Sequence, residues 1–238
     1  MKVPPLLVIM LAFIGGWVDV ATFVGLDHLM AAHITGNIVL LAADLQDGFG
    51  ESDLVKVIAI PTFFAAVIVF TLIHDRHVVR AKTREGRMPW ILVLEAFLLV
   101  IAGVLAVATT DGGRPVSFGL ALLISIPAVV AMACQNASHR LYPSLGPATT
   151  VMTGNIAQFF IDRTRRSRPS ARLPADEDIR AGERGLPVLI GAFVAGCVGA
   201  AFLTGAIGPA SLLVPAALLV AMAFVHRRHI AGRTPLPE

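Results

Sequence analysis

Six long apolar runs, separated by short polar segments, dominate the pattern of this chain. A run of roughly 20 apolar residues is the length that an α-helix needs to cross the hydrocarbon core of a bilayer. The pattern therefore predicts an all-α, polytopic membrane protein with about six transmembrane helices. These helices are expected at residues 5–24, 54–73, 90–108, 118–138, 186–203 and 210–225.

Two further apolar stretches are too short to cross, and both begin with the same tripeptide. Thr35-Gly36-Asn37 opens the first stretch and Thr153-Gly154-Asn155 opens the second. Each has about 11 residues before its closing acid, Asp44 or Asp162, which at about 1.5 Å per residue covers roughly half of the membrane. We predict that both form short re-entrant or broken helices.

The basic residues indicate how the chain is oriented. Most of them lie in four segments, at residue 2 and within residues 76–87, 163–184 and 227–233. If neither short stretch crosses, all four segments share one side, as cytoplasmic loops do. Both termini and the Arg-rich loop 163–185 are therefore predicted to be cytoplasmic. One alternative stays open: if one short stretch crosses, either the N-terminus or a basic loop moves outside.

The two tripeptides also indicate an internal duplication. Asp19 lies sixteen residues before Thr35, and Asn136 lies seventeen residues before Thr153. Three crossings in each half is an odd number, so the second half would enter the membrane upside-down relative to the first. We predict two inverted-topology repeats, at residues 5–110 and 117–228, within one membrane domain.

Composition agrees with a membrane protein and excludes several other classes. The chain has 238 residues, of which 56% are hydrophobic and 15% charged, whereas a soluble domain is nearer a quarter charged. The basic residues lie between apolar runs, which favours lipid as the partner and argues against nucleic acid. Cys134 and Cys197 lie inside apolar runs and are expected to be packing residues.

The order of the motifs resembles a known family. Gly16-Trp17-Val18-Asp19 is followed by Thr-Gly-Asn, then by Gln135-Asn136 and a second Thr-Gly-Asn. This order is similar to that of the YoaK family, bacterial integral membrane proteins that carry domain of unknown function 1275. The resemblance covers residues 6–225 and implies a multi-pass protein of the bacterial inner membrane. It supplies no catalytic residues.

Asp19 is the sharpest candidate for a functional group, because it lies well inside the first apolar run. A carboxylate at such depth costs on the order of 3 kcal/mol on insertion scales unless it faces a cavity or a partner. Two interpretations of Asp19 follow. It binds a proton, a cation or a ligand, or it makes a hydrogen bond that packs two helices together. Asn136, its counterpart, cannot titrate, so a charge-dependent site would make the halves unequal.

The two tripeptides are the next candidates. Thr or Asn can cap a helix N-terminus, and that end can face a polar ligand or merely pack the two halves together. We predict a ligand-binding set at the repeat interface from residues near both tripeptides. The set comprises Asp19, His33, Thr35, Gly36, Asn37, Gln135, Asn136, His139, Thr153, Gly154 and Asn155. The spacing of its histidines does not support a metal, and no cofactor is expected.

Two further expectations concern single helices. Glu95 lies five residues inside its run and is expected to reach the cytoplasmic edge of the membrane. Gly191, Ala195 and Gly199 are expected to form a small-residue ridge for close helix packing.

These features favour a transporter or channel for an unidentified small solute or ion. The alternative is a non-transporting membrane scaffold, in which Asp19 would be buried against a donor. An enzyme is not expected, because the sequence has no G-x-S-x-G, no H-E-x-x-H and no paired carboxylates at membrane depth. A homo-oligomer stays open.

The orientation generates a testable prediction. Single cysteines at Gly48 and Gly112 should react with an impermeant thiol reagent added to intact cells, whereas those at Gly86 and Pro174 should react only after lysis. Labelling at position 86 from outside would contradict six crossings with cytoplasmic termini.

Overall fold

The computed structural model describes residues 6–46, 48–81, 89–109, 116–166 and 185–231, and within them it is helical, without strands. The helices are α1 Leu6–Gly25, α2 Ile34–Asp44, α3 Glu51–Ala81, α4 Pro89–Thr109, α5 Phe118–Leu141, α6 Met152–Arg166, α7 Leu186–Ile207 and α8 Leu213–Ala231. Short 3-10 turns at Pro143–Leu145 and Gly208–Leu212 precede α6 and α8. The predicted all-α class is confirmed.

Five apolar stretches of the described residues are long enough to cross a membrane. Four of them belong to α1, α3, α4 and α5. The fifth, Leu186–Phe224, has 39 residues and contains α7, the second 3-10 turn and most of α8. At about 1.5 Å per residue it would extend for roughly 58 Å, which is enough for two crossings. Gly208 breaks this stretch with φ 65°, a left-handed conformation that glycine adopts without steric cost.

Both stretches that begin near Thr-Gly-Asn are separate short helices. α2 has 11 residues and α6 has 15. Neither reaches the roughly 20 residues needed for a helical crossing. The residues between Gly25 and Ile34 separate α2 from α1, so residues 35–45 do not belong to an uninterrupted span.

Several predicted boundaries need correction. α3 runs from Glu51 to Ala81 and is therefore longer at both ends than the predicted 54–73. At its start, the Asp53 carboxylate accepts a hydrogen bond from the Gly50 N–H at 2.8 Å and caps the first turn. The last helix starts at Leu213, after the 3-10 turn. α6 continues to Arg166, so the predicted loop 163–185 is helical at its start. The rest of that loop, and positions 86, 112 and 174, lie outside the described residues.

Glycines set the closest helix contact, between α1 and α7. A Cβ on Gly16 would overlap the Phe193 carbonyl oxygen, and a Cβ on Gly196 would overlap the Phe13 carbonyl oxygen. The backbones therefore cross at a distance that admits only glycine. Trp17 extends the contact by donating from Nε1 to the Ser211 carbonyl oxygen at 3.1 Å.

The predicted ridge on α7 is wrong by one position. Gly191 faces open space, Ala195 is exposed, and only Gly199 touches α1, 2.6 Å from a Cβ position to the Trp17 ring. The small residues that are buried follow a neighbouring row: Gly196, Ala200 and Thr204.

Four of the helix contacts form two pairs that are related by the two halves of the chain. α1 packs on α7 and α3 packs on α5, while α2 packs on α3 and α6 packs on α7. α4 packs on both α5 and α8. α4 and α8 run in opposite directions, since Gly103 lies beside Leu213 whereas Val93 shares a groove with Phe224.

Glu95 of α4 contradicts its expected position. Its residue surface is only 1% exposed, so the side chain is buried between helices and does not reach the membrane edge. The face of α4 that carries Glu95 packs inward, and sequence position alone did not indicate this.

The glycine crossing predicts a large effect of one methyl group. Gly196→Ala should destabilise the protein by about 1–3 kcal/mol, because the added Cβ forces α1 and α7 apart. Thermal unfolding of detergent-purified protein measures the effect. Gly191→Ala is the matched control on the same helix, since a Cβ there meets nothing within 4 Å. Equal melting temperatures for the two variants would contradict the crossing.

Candidate functional site

Asp19 lies deep in the protein and holds the segment that precedes α2. It is thirteen residues into α1, about 20 Å from the start of the helix, and 7% exposed. Its Oδ1 accepts hydrogen bonds from the Ala32 N–H at 2.6 Å and the His33 N–H at 3.4 Å, and its Oδ2 pairs with His33 Nδ1. One carboxylate therefore satisfies two backbone donors and one side-chain nitrogen.

The chain reaches this position by a sharp reversal after α1. Asp27 and His28 both have positive φ, 50° and 58°, in the left-handed region that most residues avoid. The Leu29 N–H then donates to the Leu26 carbonyl oxygen at 3.0 Å. This tight turn brings Ala32 and His33 back against the helix that the chain has just left.

The first tripeptide does not act as the expected helix cap. The N-cap of α2 is His33, and it makes no side-chain capping hydrogen bond. Asn37 reaches backwards instead, accepting from the Met30 N–H and donating to the Met30 carbonyl oxygen, both at 2.8 Å. Thr35 is exposed. The tripeptide thus fastens the preceding loop, and its threonine does not face the centre.

The second tripeptide repeats this arrangement. Asn155 Nδ2 donates to the Ala148 carbonyl oxygen at 2.9 Å, seven residues back, the same spacing as Asn37 and Met30. Thr153 and Gly154 are exposed, and the nearest atom to a Cβ on Gly154 is 3.9 Å away. Both asparagines therefore hold the loops that precede their helices. Thr35, Thr153 and Gly154 of the predicted site lie at the surface.

Asn136 of α5 joins the two halves. Its Oδ1 accepts from the Thr150 hydroxyl, and its Nδ2 donates to the carbonyl oxygens of Met132 at 3.1 Å and Ala32 at 3.5 Å. Ala32 precedes α2 and Thr150 precedes α6. One carboxamide therefore holds the loops before both short helices and brings Asp19, His33 and Asn136 together.

A second polar layer lies beside this contact. Gln135 Nε2 donates to the Leu11 carbonyl oxygen at 2.8 Å and to Thr149 Oγ1 at 2.9 Å, and His139 Nε2 lies 2.8 Å from the same hydroxyl. Gln135 Oε1 is buried without a hydrogen-bond partner among the described residues. Gln135 and His139 therefore both contact Thr149, which links them.

The sequence analysis missed Thr149 and Thr150. A signal for Thr150 existed: Asp19 pairs with His33, and Asn136 pairs with Thr150, in both cases fourteen residues later. Matching the halves on Asp19 and Asn136, instead of on the tripeptides, identifies Thr150.

The site can exchange protons more readily than it can bind metal. No group of three or more His, Cys, Asp or Glu side chains forms a metal site within the described residues. The His33 side chain is 33% exposed, against 10% for Asp19. His33 lies between α1 and α2, outside the apolar spans, and its hydrogen bond to Asp19 raises its pKa, although burial opposes the shift. His33 is therefore the more exposed side chain of the Asp19–His33 pair.

Comparisons with known proteins agree with a membrane protein. Residues 7–225 match the family described as Protein of unknown function (DUF1275). The chain is 28% identical over 157 residues to UPF0700 transmembrane protein YoaK of Bacillus subtilis (strain 168), a match that covers 66% of each chain. The chain thus matches just under two thirds of that relative's length. No solved structure matches.

The Asp19–His33 pair predicts a pH-dependent stability. Because the pKa of His33 is raised in the folded protein, the stabilisation is fully present below its ordinary value of 6.5 and is lost as the pH rises through the raised value. Asp19→Asn removes both the carboxylate hydrogen bond, which is the main cause of the raised pKa of His33, and the negative charge that adds to it. Wild type should therefore melt above Asp19→Asn in mild acid, and the gap should narrow with rising pH.

Thermal unfolding across this pH range tests the pair. His28→Asn is the matched control, since His28 lies in the same connection but is exposed. If the gap between wild type and Asp19→Asn stays constant with pH, the pair does not titrate as described.

Proposed function

We propose that this chain, which belongs to the family described as Protein of unknown function (DUF1275), is a transporter or channel for a small solute, with its site at the interface of two inverted repeats. The resemblance inferred from the paired motifs is confirmed, and the chain is a multi-pass membrane protein. We further propose the bacterial inner membrane as its location, with both termini cytoplasmic.

The matched helix contacts support the repeats. If residues 5–110 correspond to 117–228, then α1 corresponds to α5, α2 to α6, α3 to α7 and α4 to α8. The α1–α7 contact then corresponds to α5–α3, and α2–α3 corresponds to α6–α7. The antiparallel α4–α8 pair corresponds to itself, as expected beside a pseudo-two-fold axis in the membrane plane.

One observation carries the proposal: Asn136 holds the loops before both short helices against the buried Asp19–His33 pair. Broken helices that meet at a repeat interface are the usual way in which transporters place polar groups near the midplane. Asp19 has little exposure, so this conformation is closed. Solute entry would require the Ala32 segment to move away from Asp19 and Asn136.

A scaffold is the second candidate, and one observation favours it. Asp19 is satisfied by donors of its own chain, which is the arrangement expected of a packing residue. In addition, a cavity of about 410 Å³ lies in the α4–α8 groove, away from Asp19, and is lined by Val93, Ala96, Phe97, Val100, Val220, Ala223 and Phe224. A scaffold would use its outer helix faces to assemble with other membrane proteins or with further copies of itself.

We propose no enzymatic activity and no nucleic-acid partner. The adjacent Ser138 and His139 do not form a nucleophile–base pair, because the Ser138 hydroxyl donates to the Cys134 carbonyl oxygen at 2.6 Å while His139 contacts Thr149. Outward-facing apolar side chains of α3, such as Phe64 and Ile68, are suited to lipid contact.

A ligand screen followed by uptake measurement tests the proposal. The screen is run at two pH values, and a bound solute should raise the apparent melting temperature of the purified protein. At a concentration of 100 times its Kd, the solute adds about 2.7 kcal/mol to the free energy of unfolding. Asp19→Asn and Asn136→Ala should abolish the shift. Thr71→Val is the matched control, since the Thr71 hydroxyl bonds only within its own helix, to Val67.

Uptake of the identified solute into proteoliposomes then separates the two candidates. Uptake that exceeds empty liposomes and is lost in Asn136→Ala supports transport. Binding without uptake, or no binding in a screen where a positive-control protein responds, supports the scaffold.

A further inference from the structure

Glu95 is a buried acid that the candidate site does not use. It lies on α4 five residues after Trp90, about 7.5 Å further along the helix. The side chain is almost fully buried, and Oε1 has no hydrogen-bond partner in the part of the chain that the structure describes. Asp19 accepts several hydrogen bonds, so the two acids have opposite surroundings.

Within the described residues, no element packed against α4 forms an ion pair with Glu95. On α5, the titratable side chain near Glu95 is the thiol of Cys134. On α8, the described side chains that face this part of α4 are apolar, among them Val220 and Ala223. On the 3-10 turn, the Ser211 hydroxyl is bonded to Thr204 Oγ1 at 2.7 Å.

An ionised carboxylate in such a place is unstable relative to the neutral acid. Burial of a charge without a partner is costly, and the cost is larger at membrane depth, where water is absent. A buried acid without a cation therefore takes up a proton. A protonated carboxyl needs only one acceptor for its O–H, which is far less demanding than the donors that a carboxylate requires.

We propose that Glu95 is a proton-binding site in the α4–α5 interface, protonated at neutral pH and able to release its proton when that interface opens to water. The site is independent of Asp19 and His33 and does not depend on the proposed transport function. Together with Asp19, it gives the membrane-spanning helices a second buried acid.

A membrane-soluble carbodiimide tests this proposal in the full-length protein in lipid vesicles. A protonated carboxyl adds across one C=N bond of dicyclohexylcarbodiimide: its oxygen bonds to carbon and its proton moves to nitrogen. An acyl shift then gives a stable N-acylurea that retains every atom of both molecules. Mass spectrometry should find this adduct on Glu95 at neutral pH, with labelling that falls as the pH is raised.

Glu51 is the matched control, because it lies at the exposed start of α3. It should react with a water-soluble carbodiimide and resist the membrane-soluble one. Glu95→Gln should lose the membrane-soluble adduct and also the infrared carbonyl band of a protonated carboxylic acid, while Asp19→Asn retains both.

The adduct on wild type is decisive if Glu95→Gln fails to fold. Absence of both the adduct and the infrared band in folded wild type would overturn the proposal, since it would mean that Glu95 is ionised. Failure of the transport assay would leave this result unchanged, so the two proposals fail separately.

Discussion

Backbone that leaves the helical conformation inside a membrane protein has to find hydrogen-bond partners within the protein, because lipid offers none. The loops before α2 and α6 meet this requirement with side chains from their own half. Asn37 satisfies both backbone groups of Met30, and Asn155 satisfies the Ala148 carbonyl oxygen. These asparagine hydrogen bonds position the N-terminal ends of α2 and α6. They act together with the bonds from Asp19 and Asn136, which hold the same loops at the polar centre.

The glycine crossing complements this polar centre. Gly16 and Gly196 let α1 approach α7 closely, and Asp19 follows Gly16 by one turn of the same helix. α1 therefore carries both the closest backbone contact and the carboxylate that holds the first loop. A change in the α1–α7 crossing would therefore move Asp19, because Gly16 and Asp19 lie on the same rigid helix.

The sequence predicted the helices and the residues that meet near α1, but not the detailed role of each residue. Apolar runs locate spans because length and hydropathy are properties of a segment. The side of a helix that packs inward is not a property of the segment alone. α7 carries small residues in two neighbouring rows, and only the contact with α1 shows that Gly196, and not Gly191, lies in the interface. Glu95 was misplaced for the same reason, since its burial depends on where α5 and α8 lie.

The Thr-Gly-Asn tripeptide shows a second limit of prediction from the sequence. Asparagine can cap a following helix or fasten a preceding loop, and both roles place it at the start of a helix. Sequence position does not separate them. The left-handed turn at Asp27 and His28 decides between them, because it brings Met30 within reach of Asn37.

The difference between Asp19 and Asn136 follows from what each one faces. Asp19 faces donors, namely the N–H groups of Ala32 and His33, together with a ring nitrogen that becomes a donor when the imidazole carries a proton there. Asn136 faces a hydroxyl donor on one side and the Ala32 carbonyl oxygen on the other, so it needs an amide, which both accepts and donates. The backbone of Ala32 is thus held from both halves of the chain, through its N–H by Asp19 and through its carbonyl oxygen by Asn136. Of these two side chains, only Asp19 can carry a charge.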